Sequence, residues 1–101
     1  MEKVFVYGTL RVPEIRNRIV GKEVNSISTD KLRCYRLSSV NEEGQSYPII
    51  VQDENSKEII EGEVLEVSEK ELEALDAYEG DLYIRRKISL ESGTTAWAYT
   101  Q

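Results

Sequence analysis

The chain predicts an α+β domain with about six strands and two helices. Short apolar or alternating runs bounded by turn residues recur as Val4–Tyr7, Tyr47–Val51, Ile59–Val67 and Ile84–Leu90. Two segments, Pro13–Val20 and Ser68–Gly80, carry helical spacing with their own start and stop residues. The strand-rich second half favours a mixed or mostly antiparallel sheet, and the pattern alone does not decide whether that sheet curls into a barrel. With 101 residues, no internal repeat and no low-complexity linker, one domain spanning residues 1–101 is expected.

The elements follow in order. Val4-Phe5-Val6-Tyr7 is almost wholly apolar and reads as a strand buried on both faces, ended by Gly8. Pro13 suits a first helical turn, Ile15 and Ile19 stand four apart on one side, and Gly21 supplies the stop. Asn25–Asp30 reads as a polar connector, and Lys31–Leu37 as a weaker strand. Asn41-Glu42-Glu43-Gly44 is turn-like, after which Tyr47–Val51 forms a strand with Pro48 at its beginning or edge, since proline donates nothing to a ladder. Asp53–Ser56 is the next turn. Ile59–Val67 is a long strand in which Gly62 marks a bulge or a close backbone approach. Ser68-Glu69-Lys70-Glu71 fits a capping box at the start of the second helix, and Gly80 ends it. Ile84–Leu90 alternates, Ser92-Gly93 turns the chain, and Thr95–Tyr99 closes it as a last strand.

Composition removes several function classes. A net charge of −6 argues against a nucleic-acid partner, whose backbone rewards a basic surface. The local cluster Arg11, Arg16, Arg18 and Lys22 reads as a solvated helix face, with attraction for a substrate carboxylate as the functional alternative. No apolar run approaches the roughly 20 residues of a membrane span. A single cysteine, Cys34, excludes an internal disulfide framework, and with no signal-like start this places the expected location in the cytoplasm. Without histidine there is no Ser-His-Asp triad, Cys-His pair or histidine-bearing zinc site, and no Walker-type loop is present. Neither a metal nor any other cofactor is expected. Proton transfers would fall to carboxylates, tyrosines or lysines.

Among these, Glu79 stands apart. At about 100° per residue it lies about 20° from Leu72 and about 40° from Leu75, on the stripe shared with Tyr78. An acidic residue at a helix C-terminus is disfavoured by roughly 0.3–1 kcal/mol. Burial against leucines raises a carboxyl pKa towards the range general acid-base work needs. The alternative reading is a helix that frays before Glu79, whose carboxylate then reaches water or pairs with Arg85 or Arg86. Tyr7-Gly8-Thr9-Leu10 is a second candidate: Gly8 allows close backbone approach, successive amides can form an anion nest, and Thr9 adds a hydroxyl. It can equally be an ordinary tight turn between strand and helix.

Phe5-Val6-Tyr7-Gly8-Thr9-Leu10-Arg11, Tyr47-Pro48 with Ile49-Ile50-Val51, Gly62-Glu63-Val64, Leu75-Asp76-Ala77-Tyr78-Glu79-Gly80 with Tyr83 and Arg85, and Ala96-Trp97-Ala98-Tyr99 occur in this order. The ordered set resembles the γ-glutamylcyclotransferase-like (AIG2-like) family over essentially the whole chain. The resemblance implies a small mixed β-barrel with two flanking helices and a small cavity. It implies that Tyr7, Gly8, Thr9 and Leu10 hold a γ-glutamyl or 5-oxoproline group through backbone amides, and that Glu79 is the acid-base residue. Tyr83 is a supporting candidate at the cavity border, and Arg85 a structural one. The partner implied is a small γ-glutamyl substrate, turned into 5-oxoproline and a free amine or amino acid. No feature sets an oligomeric state. Arg11-Val12-Pro13-Glu14 runs directly into the helix, where many relatives carry a Gly- and Asn-bearing stretch, so substrate identity does not transfer. A cavity that only binds a small acidic metabolite, an interaction module, and another acyl or amide chemistry with the same base are the rival functions. Residues around Asn41–Gln45 or Asp53–Lys57 are candidates for choosing the leaving amine.

Overall fold

The computed structural model describes residues 1–101, from a first strand that lies deep in the sheet. The strands are β1 (Glu2–Val6), β2 (Ser26–Leu32), β3 (Tyr35–Glu42), β4 (Gln45–Gln52), β5 (Ile60–Val67), β6 (Ile84–Ser89) and β7 (Thr95–Thr100). The helices are α1 (Pro13–Val20) and α2 (Glu69–Glu79), and single 3₁₀ turns cover Thr9–Arg11 and Gly80–Leu82. No helix is long and apolar enough to cross a membrane.

β1 pairs antiparallel with β5 from Glu2↔Val67 to Val6↔Glu63, and parallel with β7 at Val4↔Trp97. β7 pairs along its length with antiparallel β6, so its other edge is shared: β1 at Trp97 and parallel β4 at Thr100, opposite Ile50. Between those two pairings β1 and β4 part. β2 adds to β5 and β3 to β4, giving a mixed seven-stranded sheet. It does not close into a barrel by hydrogen bonding, because β2, β3 and β6 each keep a free edge.

Strict alternation in β1 sends its residues to opposite faces. Val4 and Val6 join Leu10, Val24, Leu65, Val67, Leu72, Leu75 and Tyr99 beneath the two helices. Phe5 joins Leu32, Tyr35, Ile50, Ile60, Val64, Ile88, Leu90, Ala96 and Ala98 on the face without helices. Every strand contributes to that second cluster, so the sheet buries it by bending over itself. This is the physical content of the barrel-like expectation, and it confirms β1 as a strand buried on both faces.

α1 occupies Pro13–Val20 as the sequence predicts, with Gly21 left-handed at φ 84°. α2 has its capping box: Ser68 Oγ accepts from the Glu71 amide at 3.2 Å, and Glu71 accepts from the Ser68 amide at 2.6 Å. The connector predicted at Asn25–Asp30 is instead most of β2, and the weak strand at Lys31–Leu37 straddles two strands broken at Cys34, which takes φ 67°. The turn near Asn41–Gly44 is narrower than expected. β3 runs to Glu42, and Glu43 and Gly44, at φ 50° and 80°, make the two-residue loop of a tight hairpin. Gly62 marks a close approach rather than a bulge: a β-carbon there would stand 2.4 Å from the Val6 carbonyl oxygen and 2.7 Å from Phe5 Cζ. The register shift in this sheet falls at Ser26–Ser28 of β2.

Candidate active site

The parting of β1 and β4 across β7 leaves a cavity of about 180 Å³. Its floor is buried Phe5, Val6, Leu10 and Tyr99, its walls are half-buried Tyr7, Gly8, Tyr47, Pro48, Glu79 and Tyr83, and its rim is exposed Thr9, Glu42, Tyr78 and Leu82. All six residues singled out from the sequence, Tyr7, Gly8, Thr9, Leu10, Glu79 and Tyr83, therefore line one space. Glu42 belongs to the Asn41–Gln45 stretch expected to face a leaving group, whereas no residue of Asp53–Lys57 reaches the cavity.

Glu79 closes α2, which does not fray before it. Its side chain is in no ion pair, and burial alone pushes its carboxyl up to about 7 from the usual 4.5. The alternative pairing is corrected by the structure, for Arg85 serves Asp76, Nε to Oδ1 at 3.1 Å, and stacks 4.2 Å over Trp97, while Arg86 pairs with nothing. Tyr78 shares the helical stripe yet is 46% exposed, because the stripe passes from the core at Leu75 onto the cavity rim.

The tyrosines around Glu79 are already committed as donors. Tyr83 Oη donates to the Pro48 carbonyl at 2.8 Å, Tyr99 Oη to Asp76 Oδ1 at 2.7 Å, Tyr47 Oη to Gln45 Oε1 at 2.9 Å, and Tyr7 Oη to the Tyr99 carbonyl. Each is left able to accept. Burial raises Tyr83 to about 12 and holds Tyr7 and Tyr99 well above the ordinary phenol range, with the Glu79 charge adding to all three. These phenols stay protonated at neutral pH.

The loop supplies the opposite chemistry. The 3₁₀ turn bonds Arg11 N to Gly8 O and Val12 N to Thr9 O, each at 3.0 Å, and no loop bond takes the amides of Gly8, Thr9 or Leu10. No arginine or lysine lines the cavity, so its uncommitted donors are neutral groups, among them these amides and the Thr9 and Tyr78 hydroxyls. Gly8 lets the loop pack closely on β4, where a β-carbon would meet Pro48 Cγ at 3.0 Å.

The basic cluster is only partly the solvated face expected of it. Arg16 is buried and donates Nε to the Val24 carbonyl at 2.8 Å and Nη1 to the carbonyls of Leu10 and Arg11 at 3.3 and 3.2 Å. Glu63 balances it at 3.8 Å and takes Arg11 at 3.0 Å. Arg16 thus fixes the far side of the loop whose near side faces the cavity.

Sequence reasoning passed over Tyr47, Pro48, Tyr78 and Tyr99 as site residues, although all four lie inside its quoted blocks. Glu42 and Leu82 had no signal beyond their neighbourhoods.

Comparison with known proteins places this arrangement in a family. The family model described as gamma-glutamyl cyclotransferase, AIG2-like, matches residues 4–101. A Methanocaldococcus jannaschii protein named "Putative gamma-glutamylcyclotransferase" is 38% identical over 105 residues, covering 98% of this chain and 83% of its own. An Arabidopsis thaliana solution structure superposes with a TM-score of 0.79 at 28% identity, covering 98% of this chain and 67% of that one. A structure titled "Gamma-glutamyl cyclotransferase" shares the fold at a TM-score of 0.80 and 18% identity, covering 99% of this chain and 66% of that one. With a matching family model, a matching relative and a matching fold, the chain belongs to the gamma-glutamyl cyclotransferase, AIG2-like family.

Proposed function

We propose that the protein is a γ-glutamyl cyclotransferase that releases 5-oxoproline and a free amine or amino acid, with Glu79 as its acid-base residue. The observation that carries this reading is that Glu79, unpaired and half-buried, shares one small cavity with the uncommitted amides of Gly8–Leu10.

The substrate's α-ammonium must be deprotonated before its nitrogen attacks the γ-carbonyl. A carboxylate titrating at about 7 accepts that proton at neutral pH and gives it up again readily. The new C–N bond closes a five-membered ring, and the carbonyl becomes an oxyanion. The old C–N bond then breaks. The attacking nitrogen sheds two protons in becoming a lactam N–H, the departing amine gains two in leaving as an ammonium, and Glu79 relays them in turn. The tyrosine hydroxyls, with their donors spent, accept from the substrate ammonium before it is deprotonated. The substrate α-carboxylate and the oxyanion draw on neutral donors, chiefly the loop amides and the Thr9 and Tyr78 hydroxyls. Confining amine and carbonyl in about 180 Å³ supplies the proximity that makes an intramolecular acyl transfer fast.

The test is to incubate the protein with γ-glutamyl amines and γ-glutamyl dipeptides and measure 5-oxoproline, with Glu79→Gln alongside. Release by the parent and its loss in the variant support the reading. Undiminished release by the variant removes Glu79 from the mechanism. No release by the parent, together with saturable binding of γ-glutamyl compounds, moves the protein to a binding role.

A further inference from the structure

The charge distribution of the cavity says more about its substrate than its catalytic residue does. An apolar cavity of about 150 Å³ takes one benzene molecule. At about 180 Å³, this one accommodates a five-carbon acyl group and leaves the amine portion at the rim. The rim is Thr9, Glu42, Tyr78 and Leu82, with Tyr47 and Tyr83 just inside. It carries a second carboxylate, three phenol rings and no cation.

Glu42 is held there by the local fold. It is the last residue of β3, opposite Gln45 of β4, and the tight Glu43-Gly44 loop fixes the hairpin immediately beyond it. It takes part in no ion pair, so its charge at the cavity mouth is not neutralised by a neighbouring side chain. The negative charges of Glu42 and Glu79 both raise Tyr83, behind the larger effect of burial, so both act on the same wall of the cavity.

We propose that the site selects γ-glutamyl substrates whose leaving amine carries a second, cationic nitrogen and no carboxylate, as in a monoacylated diamine, and that Glu42 receives that cation. This rests on the cyclotransferase reading and deepens it. A leaving amino acid would bring its own carboxylate to a rim with no positive side chain. A diamine would bring an ammonium to a cavity mouth lined by a carboxylate and by the rings of Tyr47, Tyr78 and Tyr83, the two kinds of group that attract it.

The experiment uses three substrates of matched length: the γ-glutamyl amides of cadaverine, of pentylamine and of δ-aminovalerate, ending in a cation, a methyl and an anion. The expected kcat/KM order is cadaverine, pentylamine, δ-aminovalerate, with about a five- to tenfold advantage of the first over the second at low ionic strength. That ratio shrinks as salt is added. In Glu42→Gln it falls towards one, and the penalty on the anionic substrate eases. Equal turnover of all three by the parent overturns the selection while the cyclotransferase reading stands. Selection that survives Glu42→Gln overturns the assignment to Glu42. If no amide of the series turns over but γ-glutamyl dipeptides do, the substrate class is wrong. If nothing at all turns over, the cyclotransferase reading fails and this one with it.

Discussion

Arg85 places its Nε 3.1 Å from Asp76 Oδ1 and makes no ion pair with Glu79, three residues further along the same helix. The same Asp76 oxygen accepts Tyr99 Oη at 2.7 Å, so a cation beside the cavity is consumed by a structural contact. Glu79 is left to burial, which raises its carboxyl to about 7. In the proposed mechanism Glu79 must be ionised to take a proton, so kcat/KM is expected to rise through an acid limb with its midpoint near 7. In Arg85→Met that midpoint stays in place, because the charge removed belongs to Asp76. A limb that moves to higher pH in the variant would mean that Arg85 does hold Glu79 in solution.

Glu79→Gln separates catalysis from stability. Loss of the proposed base is expected to lower kcat by about 10²–10⁴-fold. Stability should change the other way, with a definite pH dependence. The folded carboxyl titrates at about 7 and an unburied one at 4.5. Below 4.5 both states are protonated and the site contributes no pH-dependent difference. Between those values the folded state keeps a proton that the unfolded state has lost, so the parent loses stability as pH rises. Above 7 the folded state bears the whole cost of a buried charge, roughly 3 kcal/mol by linkage and nearer roughly 2 after solvent access is allowed for. Denaturant titrations should find the variant more stable at pH 8 than the parent, with the gain disappearing below about pH 4.5. A gain that does not vary with pH would show that the amide acts through packing.

The same residues show what was legible in the sequence. α2 was, because its signals are local: Ser68 and Glu71 cap each other, and Leu72 and Leu75 set the stripe that also carries Glu79. β2 was not. Its Ser26-Ile27-Ser28-Thr29-Asp30 run has one large apolar residue, and Ile27 faces solvent from an edge strand whose polar composition suits an unpaired edge. Tyr99 and Pro48 were read only as strand residues, since what makes them cavity walls is the parting of β1 and β4, a tertiary event with no local pattern. Arg16 looked like part of a charged face because nothing nearby in sequence announces that the carbonyls of Leu10, Arg11 and Val24 converge on it.

Arg16 also makes a testable demand. Replacing it with Met removes the donor of three carbonyls and the balance of Glu63, at an expected cost of about 2–4 kcal/mol in denaturant unfolding. Because two of those carbonyls, of Leu10 and Arg11, lie on the loop that faces the cavity, KM for a γ-glutamyl substrate should rise in the surviving folded protein. A stable variant with unchanged KM would show that the loop is held by its 3₁₀ turn alone.

Gly8 and Gly62 distinguish a glycine that serves the cavity from one that serves the core. At Gly62 an added methyl would lie 2.4 Å from the Val6 carbonyl oxygen, which is main chain in the centre of the sheet and cannot swing away. Gly62→Ala is therefore expected to cost at least about 1–3 kcal/mol, as overpacking does, with little change in KM for whatever folds. At Gly8 the methyl would meet the tip of the Pro48 ring at 3.0 Å, a contact relieved by a shift of a few tenths of an ångström. Stability should fall by under about 1 kcal/mol. But that shift moves either the amides of Gly8–Leu10 or the wall at Pro48, whose carbonyl orients Tyr83. Catalysis responds to displacements of this size, so Gly8→Ala should lower kcat/KM by at least about tenfold. Paired thermal unfolding and steady-state kinetics on the two variants would expose the opposite pattern if it occurred. A Gly8→Ala protein with parental kinetics would mean that the loop backbone plays no part in holding the reacting groups.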